Sequence, residues 1–202
     1  GVRSVNLTPA ATYVLRLSGG SLVSEQGTAV VAEGPLDVTT TDGAVVTGGG
    51  GFLLRALDQA APQTVVNLNA SNASVLTGDA MAEPSSVANI NLMTGSTWTG
   101  AAFDVTNIAL DAGTWMMTES STVTQQVTNA GLIQYMPPAG DPAQLSSYKT
   151  LTTPDYVGGG GRLGLNTFLG DDGSPSDLLI INGGVQWAIP LCSSPIRTGR
   201  AH

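Results

Sequence analysis

Charge is what this sequence is shortest of. Only 11% of its 202 residues are Asp, Glu, Lys or Arg, less than half of the roughly 25% usual in soluble domains. Among those few, acids dominate: seven Lys and Arg stand against fifteen Asp and Glu, for a net charge of −8 and a pI near 4.2. That balance repels phosphate backbones and anionic headgroups, so nucleic acid is a poor partner. Cysteine is nearly missing. Cys192 stands alone, and one thiol builds neither an internal disulfide framework nor a zinc site of several thiolates. Histidine is scarcer in effect, since the single His202 leaves the body of the chain without one and so without a Ser-His-Asp triad. No stretch approaches the roughly 20 apolar residues that span a bilayer. The N-terminus lacks a basic region followed by an apolar one, and the expectation is a soluble chain from which any export signal has been removed.

What is present points to a folded chain of strands. Hydrophobic residues reach 42%, glycine contributes 26 positions and mean hydropathy is +0.16, the opposite of a disordered composition. Length permits one extended domain with a sizeable core, or two small ones. Helical spacing is rare because Thr, Val, Asn and Gly recur every few residues. Segments such as TYVLRL (12–17), TAVVAE (28–33), GAVVTG (43–48), FLLRAL (52–57) and TVVNLNA (64–70) are short, rich in Val and Leu, and bounded by Gly, Asp, Asn or Pro. Each reads as one β-strand.

Repetition organises these strands. A pattern V-x-N-x-x-(L or A) begins at Val65, Val87, Val105 and Val127, at intervals of 22, 18 and 22 residues. The second and third copies are followed by matching turns and tryptophans, LMTGSTWTG with Trp98 and LDAGTWMMT with Trp115, and the first by a weaker echo, SVLTGD. A period near 20 residues fits three short strands and three turns. The predicted fold is therefore all-β: a right-handed, single-stranded parallel β-helix, a pectin-lyase-like solenoid with three strands per coil. Inward positions would stack into ladders of Val, Leu and Ile, and Asn67, Asn89, Asn107 and Asn129 would fall at equivalent corners, where Asn tolerates left-handed backbone.

An open solenoid end exposes strand edges and apolar rungs, so it calls for a cap of different pattern. From about Tyr135 the repeat stops, and prolines, the run Gly158 to Gly161 and a polar turn separate the strands. GRLGLNTFLG and DLLIING, joined by DDGSPS, read as a hairpin over the last coil. The division expected is coils over 1–134, a cap continuous with them over 135–184, and an atypical tail over 185–202 to which no function is assigned.

The segment SSYKTLT, Tyr156 and GGGGRLGLNTFLGDDGSPSDLLIINGG closely resembles the autochaperone region of pertactin-like and AIDA-like autotransporter passengers, over roughly residues 95 to 184. The position after Asp177, usually basic in that family, is Leu178 here, and the tail after Gly184 lacks the expected run toward a linker helix and barrel. The resemblance implies a passenger that crosses the outer membrane C-terminus first, through its own C-terminal outer-membrane β-barrel, and folds from that end outward on the cell surface or after secretion. Cysteine poverty suits a chain exported unfolded through a narrow pore. The cap residues it implies are Tyr148, Leu151, Tyr156, Leu163, Leu165, Phe168, Pro175, Asp177, Leu179 and Ile181. Tyr156→Ala or Leu165→Asp would then destabilise the C-terminal half more than equal changes near Val30, by removing apolar contacts or burying a charge. Beyond the stem role, the implied functions are surface virulence or adhesion, with host surface or matrix molecules, or self-association, as partners.

Catalytic alternatives are weaker. GDDGS (170–174) places Asp172 where a serine protease would carry its nucleophile. A carbohydrate-cleaving β-helix would need clustered carboxylates. Asp104, Asp111, Asp171, Asp172 and Asp177 are the candidates, each read first as a turn or strand-end residue. Gly159, Gly161 and Gly164 satisfy G-x-G-x-x-G, but LGLNTFL after them reads as strand where the dinucleotide fingerprint needs a helix. Gly48 to Gly51 lacks the Lys and Ser or Thr of a phosphate loop. Trp98 and Trp115 are open to two readings, an exposed aromatic surface that binds glycans or partners, or stacked core packing. The expectation is a chain that is not an enzyme and uses no cofactor and no metal.

Overall fold

The computed structural model describes residues 1–8, 11–170 and 173–187. It is a parallel β-helix with no α-helix among the described residues, and none long and apolar enough to cross a membrane. Each coil contributes one strand to each of three faces. The first face stacks Tyr13–Ser18, Leu36–Thr41, Val65–Ala70, Val87–Met93, the start of Val105–Met117, the middle of Ser121–Tyr135, Asp155–Gly158 and Val185–Trp187, all parallel. The second runs from Ser21–Ser24 through Val45–Ala56, Val75–Ala82 and Thr97–Gly100 to Arg162–Gly164. The third runs from Val2–Val5 to Leu178–Ile181.

Alternation decides which side chains enter. VVNLNA and VANINLM each bury every second residue, as a strand must when one side faces an apolar interior. Stacking then turns alternation into columns. Val38, Leu68, Ile90, Ile108, Val127 and Tyr156 sit in register on the first face. Leu22, Val46, Leu76, Trp98, Trp115, Ile133 and Leu163 do so on the second. The columns merge into one continuous core from Ala29 to Tyr156.

Two expectations are corrected here. The asparagines of the repeat are not corner residues. Asn67, Asn89 and Asn107 lie within strands, in register and facing outward, where Asn107 Nδ2 donates to Asn89 Oδ1 at 2.9 Å and Asn89 Nδ2 to Asn67 Oδ1 at 2.9 Å. The corners belong instead to left-handed residues such as Asp42, Asn72, Thr94, Asp104 and Ala112. The fourth copy is also out of step with the other three. An extra residue bulges from Ser121–Tyr135, so that Val105 faces Val123 while Val127 lies over Ile108 and Asn129 over Leu110. One inserted residue exchanges inside for outside along a strand, and it carries Asn129 into the interior.

Coils approach closely at one corner column. A Cβ on Gly113 would run into the Leu92 carbonyl, and one on Gly131 into the Gly113 carbonyl, so only glycine lets the backbones stack there.

Candidate functional site

Above Leu110 and Val127 the aliphatic columns give way to polar side chains that are nonetheless buried. Asn129, fully buried, donates through Nδ2 to the Tyr156 hydroxyl at 3.0 Å and to the Arg162 carbonyl at 3.1 Å, while its Oδ1 accepts from Gly131 N at 3.1 Å. A neutral amide survives inside a core only if its hydrogen bonds are made. Here they tie Ser121–Tyr135 to Asp155–Gly158 and Arg162–Gly164.

The second and larger cluster centres on Asp177, whose residue is 3% exposed. Its carboxylate accepts from Lys149 N at 2.8 Å, Asn166 N at 2.8 Å and Asn166 Nδ2 at 2.7 Å. The Asn166 amide also donates to the carbonyls of Tyr135 and Met136, each at 3.1 Å. Lys149, also buried, spends its ammonium on Met136 O at 2.7 Å and Pro137 O at 3.0 Å. The Tyr135 hydroxyl donates to Leu178 O at 3.0 Å. Four segments remote in sequence, around residues 135, 149, 166 and 177, are thus fastened at one charged knot, and charge-assisted hydrogen bonds are the strong ones.

The hairpin expected over the last coil is present but short. Thr167 and Ser176 form an antiparallel bridge, flanked by Phe168 N to Pro175 O at 2.9 Å and Asp177 N to Asn166 O at 2.9 Å. Its two arms leave it at once. Arg162–Gly164 stacks parallel on Leu132 to Gln134, and Leu178–Ile181 stacks parallel on Thr150–Thr153. They are the final rungs of the second and third faces.

The cap residues named from the sequence divide by exposure. Leu151, Tyr156 and Tyr148 are buried, the Tyr148 hydroxyl donating to Pro142 O at 2.8 Å. Leu179 and Ile181 pack against the core. Pro175 supplies a carbonyl to the hairpin, and Asp177 is the knot itself. Leu163 is the last rung of the tryptophan column and stays exposed, as do Phe168 and Leu165, the last 48% exposed. Leu165→Asp would therefore bury no charge, and the expectation that it would is corrected. Tyr135, Lys149, Asn166 and Asn129 were missed as site residues. Lys149 and Asn166 lie inside the quoted strands YKTL and LNT, where a cation or amide in an apolar strand was the available signal.

Trp98 and Trp115 offer no surface. Both are fully buried, with rings stacked 5.0 Å apart and 5° from parallel, because in-register coils place one directly over the other. Their indole N–H groups donate to Gly78 O at 2.8 Å and Gly100 O at 2.9 Å. The surface-binding reading is corrected to core packing.

The carboxylates do not converge. Asp104 and Asp111 sit at opposite ends of an extended stretch, about 23 Å apart at the usual rise per residue. Asp171, Asp172, Cys192 and His202 lie outside the described residues. Among the described residues no group of three or more His, Cys, Asp or Glu is placed to hold a metal, and no helix follows Gly159, Gly161 and Gly164.

Burial raises the pKa of Tyr135, and the charge of Asp177 raises it further. Burial raises that of Tyr156 too, against the opposing hydrogen bond from Asn129. A phenol whose folded pKa exceeds its unfolded value near 10 contributes stability that is intact below that pH and lost as pH climbs toward the folded pKa. Unfolding midpoints should accordingly hold up to about pH 10 and then fall, by about 1.4 kcal/mol per pH unit for Tyr135. Tyr135→Phe should lose about 1 kcal/mol at neutral pH with the bond to Leu178 and flatten the alkaline slope. Urea titrations across pH 8 to 12 read both effects, and an unchanged slope in the variant would remove Tyr135 from the account.

Residues 121–190 match the family model described as Autochaperone Domain Type 1. The match begins at the bulged strand and takes in Asn129, the charged knot and the hairpin. Comparison with curated proteins returns no match.

Proposed function

We infer that this chain is an autotransporter passenger whose autochaperone region, matched over residues 121–190, forms a cap that nucleates folding during outer-membrane export. The coils upstream form a stem that supports an adhesive or virulence function at the cell surface, without catalysis of its own. The partner in export is a separate C-terminal β-barrel of the same protein. The observation that carries this reading is that the cap holds bonds of short sequence reach, onto which the knot's longer ties of 28 to 43 residues close. Asn166 and Asp177 are bonded across 11 residues, and Lys149 reaches Met136 and Pro137 across 13 and 12. The side-chain ladder between coils spans 18, 22 and 30. Closing a loop of 30 rather than 11 costs about 0.9 kcal/mol more in chain entropy. A coil also gains its ladder only where an ordered rung already exists. Cap first and coils afterwards is the cheaper order, and a rigid lid outside the pore opposes backsliding.

Pulse-labelling hydrogen exchange during refolding of the whole chain tests the order. Amides of Lys149, Asn166 and Asp177 should be protected before those of Val30 to Ala56. Simultaneous protection, or protection of the N-terminal coils first, would refute cap nucleation.

A further inference from the structure

The outer surface of the first face carries two rows of amides, and one of them is broken. In the intact row Asn107 donates to Asn89, Asn89 to Asn67, and Asn67 Nδ2 to the Asp37 carboxylate at 2.8 Å. In the second, Asn91 Nδ2 donates to Asn69 Oδ1 at 2.8 Å. There the row stops, because register places Ala109 over Asn91 and Thr128 over Ala109. The missing amide leaves a groove of about 430 Å³ bounded by Asn69, Asn91, Met93, Ala109, Asp111 and Thr128. Asn91 Oδ1, which the next rung would have satisfied, accepts from no side chain among the described residues.

We propose that this gap is a binding subsite for a neutral sugar ring. Backbone groups here are already paired with the coils on either side, so the face offers no edge to a peptide strand and must be read through side chains. Those side chains are the outward-facing amide oxygen of Asn91, the exposed carboxylate of Asp111 and the Thr128 hydroxyl, which donates to Gln126 Oε1 and keeps its acceptor side, around a floor of an alanine methyl and a methionine. A pyranose matches that mixture, with hydroxyls that donate to the oxygens and a C–H face for the apolar floor. Acidic sugars are refused by Asp111 and by the net charge of −8. Asp111 has no second carboxylate across the groove, so the site binds without cleaving. The proposal stands apart from cap nucleation, since the groove belongs to the coils and uses no residue of the knot.

Ala109→Asn restores the missing amide and fills the groove. Saturation-transfer NMR on the whole chain, with cellotriose, maltotriose and chitotriose as probes and trigalacturonate as the acidic control, should show transfer to at least one neutral trisaccharide and none to the acid. Ala109→Asn should weaken that signal by tenfold or more with thermal stability kept or raised. Asp111→Asn should weaken it by about tenfold without filling the space. No transfer to any neutral probe, equal transfer to trigalacturonate, or undiminished binding in Asp111→Asn would each overturn the proposal, even if Ala109→Asn failed to fold. Cap-first protection would be unaffected in every case.

Discussion

Asp177→Ala is expected to cost about 3–5 kcal/mol of stability, with the loss concentrated in the C-terminal coils. The carboxylate accepts three hydrogen bonds inside the protein, from Lys149 N, Asn166 N and Asn166 Nδ2. Alanine leaves the Lys149 and Asn166 backbone donors unmatched and takes from Asn166 Nδ2 its shortest bond, leaving it the Tyr135 and Met136 carbonyls; each orphaned donor costs about 1–3 kcal/mol. Asn is not a neutral substitute. Its oxygen can serve one or two donors, but its own N–H groups then face donors, so Asp177→Asn should fall between wild type and Ala. Trypsin gives a regional reading: cleavage after Arg162 should accelerate sharply while cleavage after Arg55 changes little. Kinetics test the nucleus. If the knot is formed in the transition state, the loss appears in the refolding rate, about a hundredfold for 3 kcal/mol, and hardly in unfolding. A total loss under 1 kcal/mol, or equal sensitivity at the two arginines, would remove the knot from the centre of the cap.

Trp115→Ala should be comparably damaging for a different reason. The ring is fully buried, it stacks on Trp98, and Ile133 covers it from the next coil. Truncation opens a cavity at about 3–5 kcal/mol, forfeits a stacked pair of about 0.5–1.5 kcal/mol within that figure, and leaves the Gly100 carbonyl only the long bond from Thr118 N. Because each coil of a solenoid touches only its neighbours, a hole at one rung loosens the coupling between the halves on either side. Urea unfolding followed by circular dichroism should shift to lower denaturant and broaden or split into two transitions. The double variant with Trp98→Ala should cost less than the two single losses added together, since each removes the same stack. A sharp single transition with an unchanged midpoint would show the pair to be dispensable.

Particular residues mark how far the sequence could be read. The repeat at Val65, Val87 and Val105 is legible because a solenoid must return to the same rung, and the structure keeps those three copies in register. The fourth is misplaced because a bulge within Ser121–Tyr135 has no signature in a spacing of hydrophobic residues. The cap segment is recognisable from YKTL, LNT and SPSD, yet its centre is not. Nothing in the string says that Asn166 reaches back to Tyr135 and Met136, or that a lysine between Tyr148 and Thr150 turns inward to two carbonyls.

Composition, alternation and period by themselves determined a chain of short parallel rungs around an apolar axis, ended by a segment of another kind. These follow from local physics: strand sterics, a two-residue side-chain period, and glycine or asparagine where the backbone must turn. Tertiary structure alone decided which residue lies over which. That choice put the tryptophans into the core, set Asn67, Asn89 and Asn107 outside as a ladder and Asn129 inside as a tie, and closed the last coil on a buried aspartate. An alternating pattern fixes which side chains share a side of a strand, whereas the rung above arrives 18 to 30 residues later, and one bulge on the way reverses inside and outside.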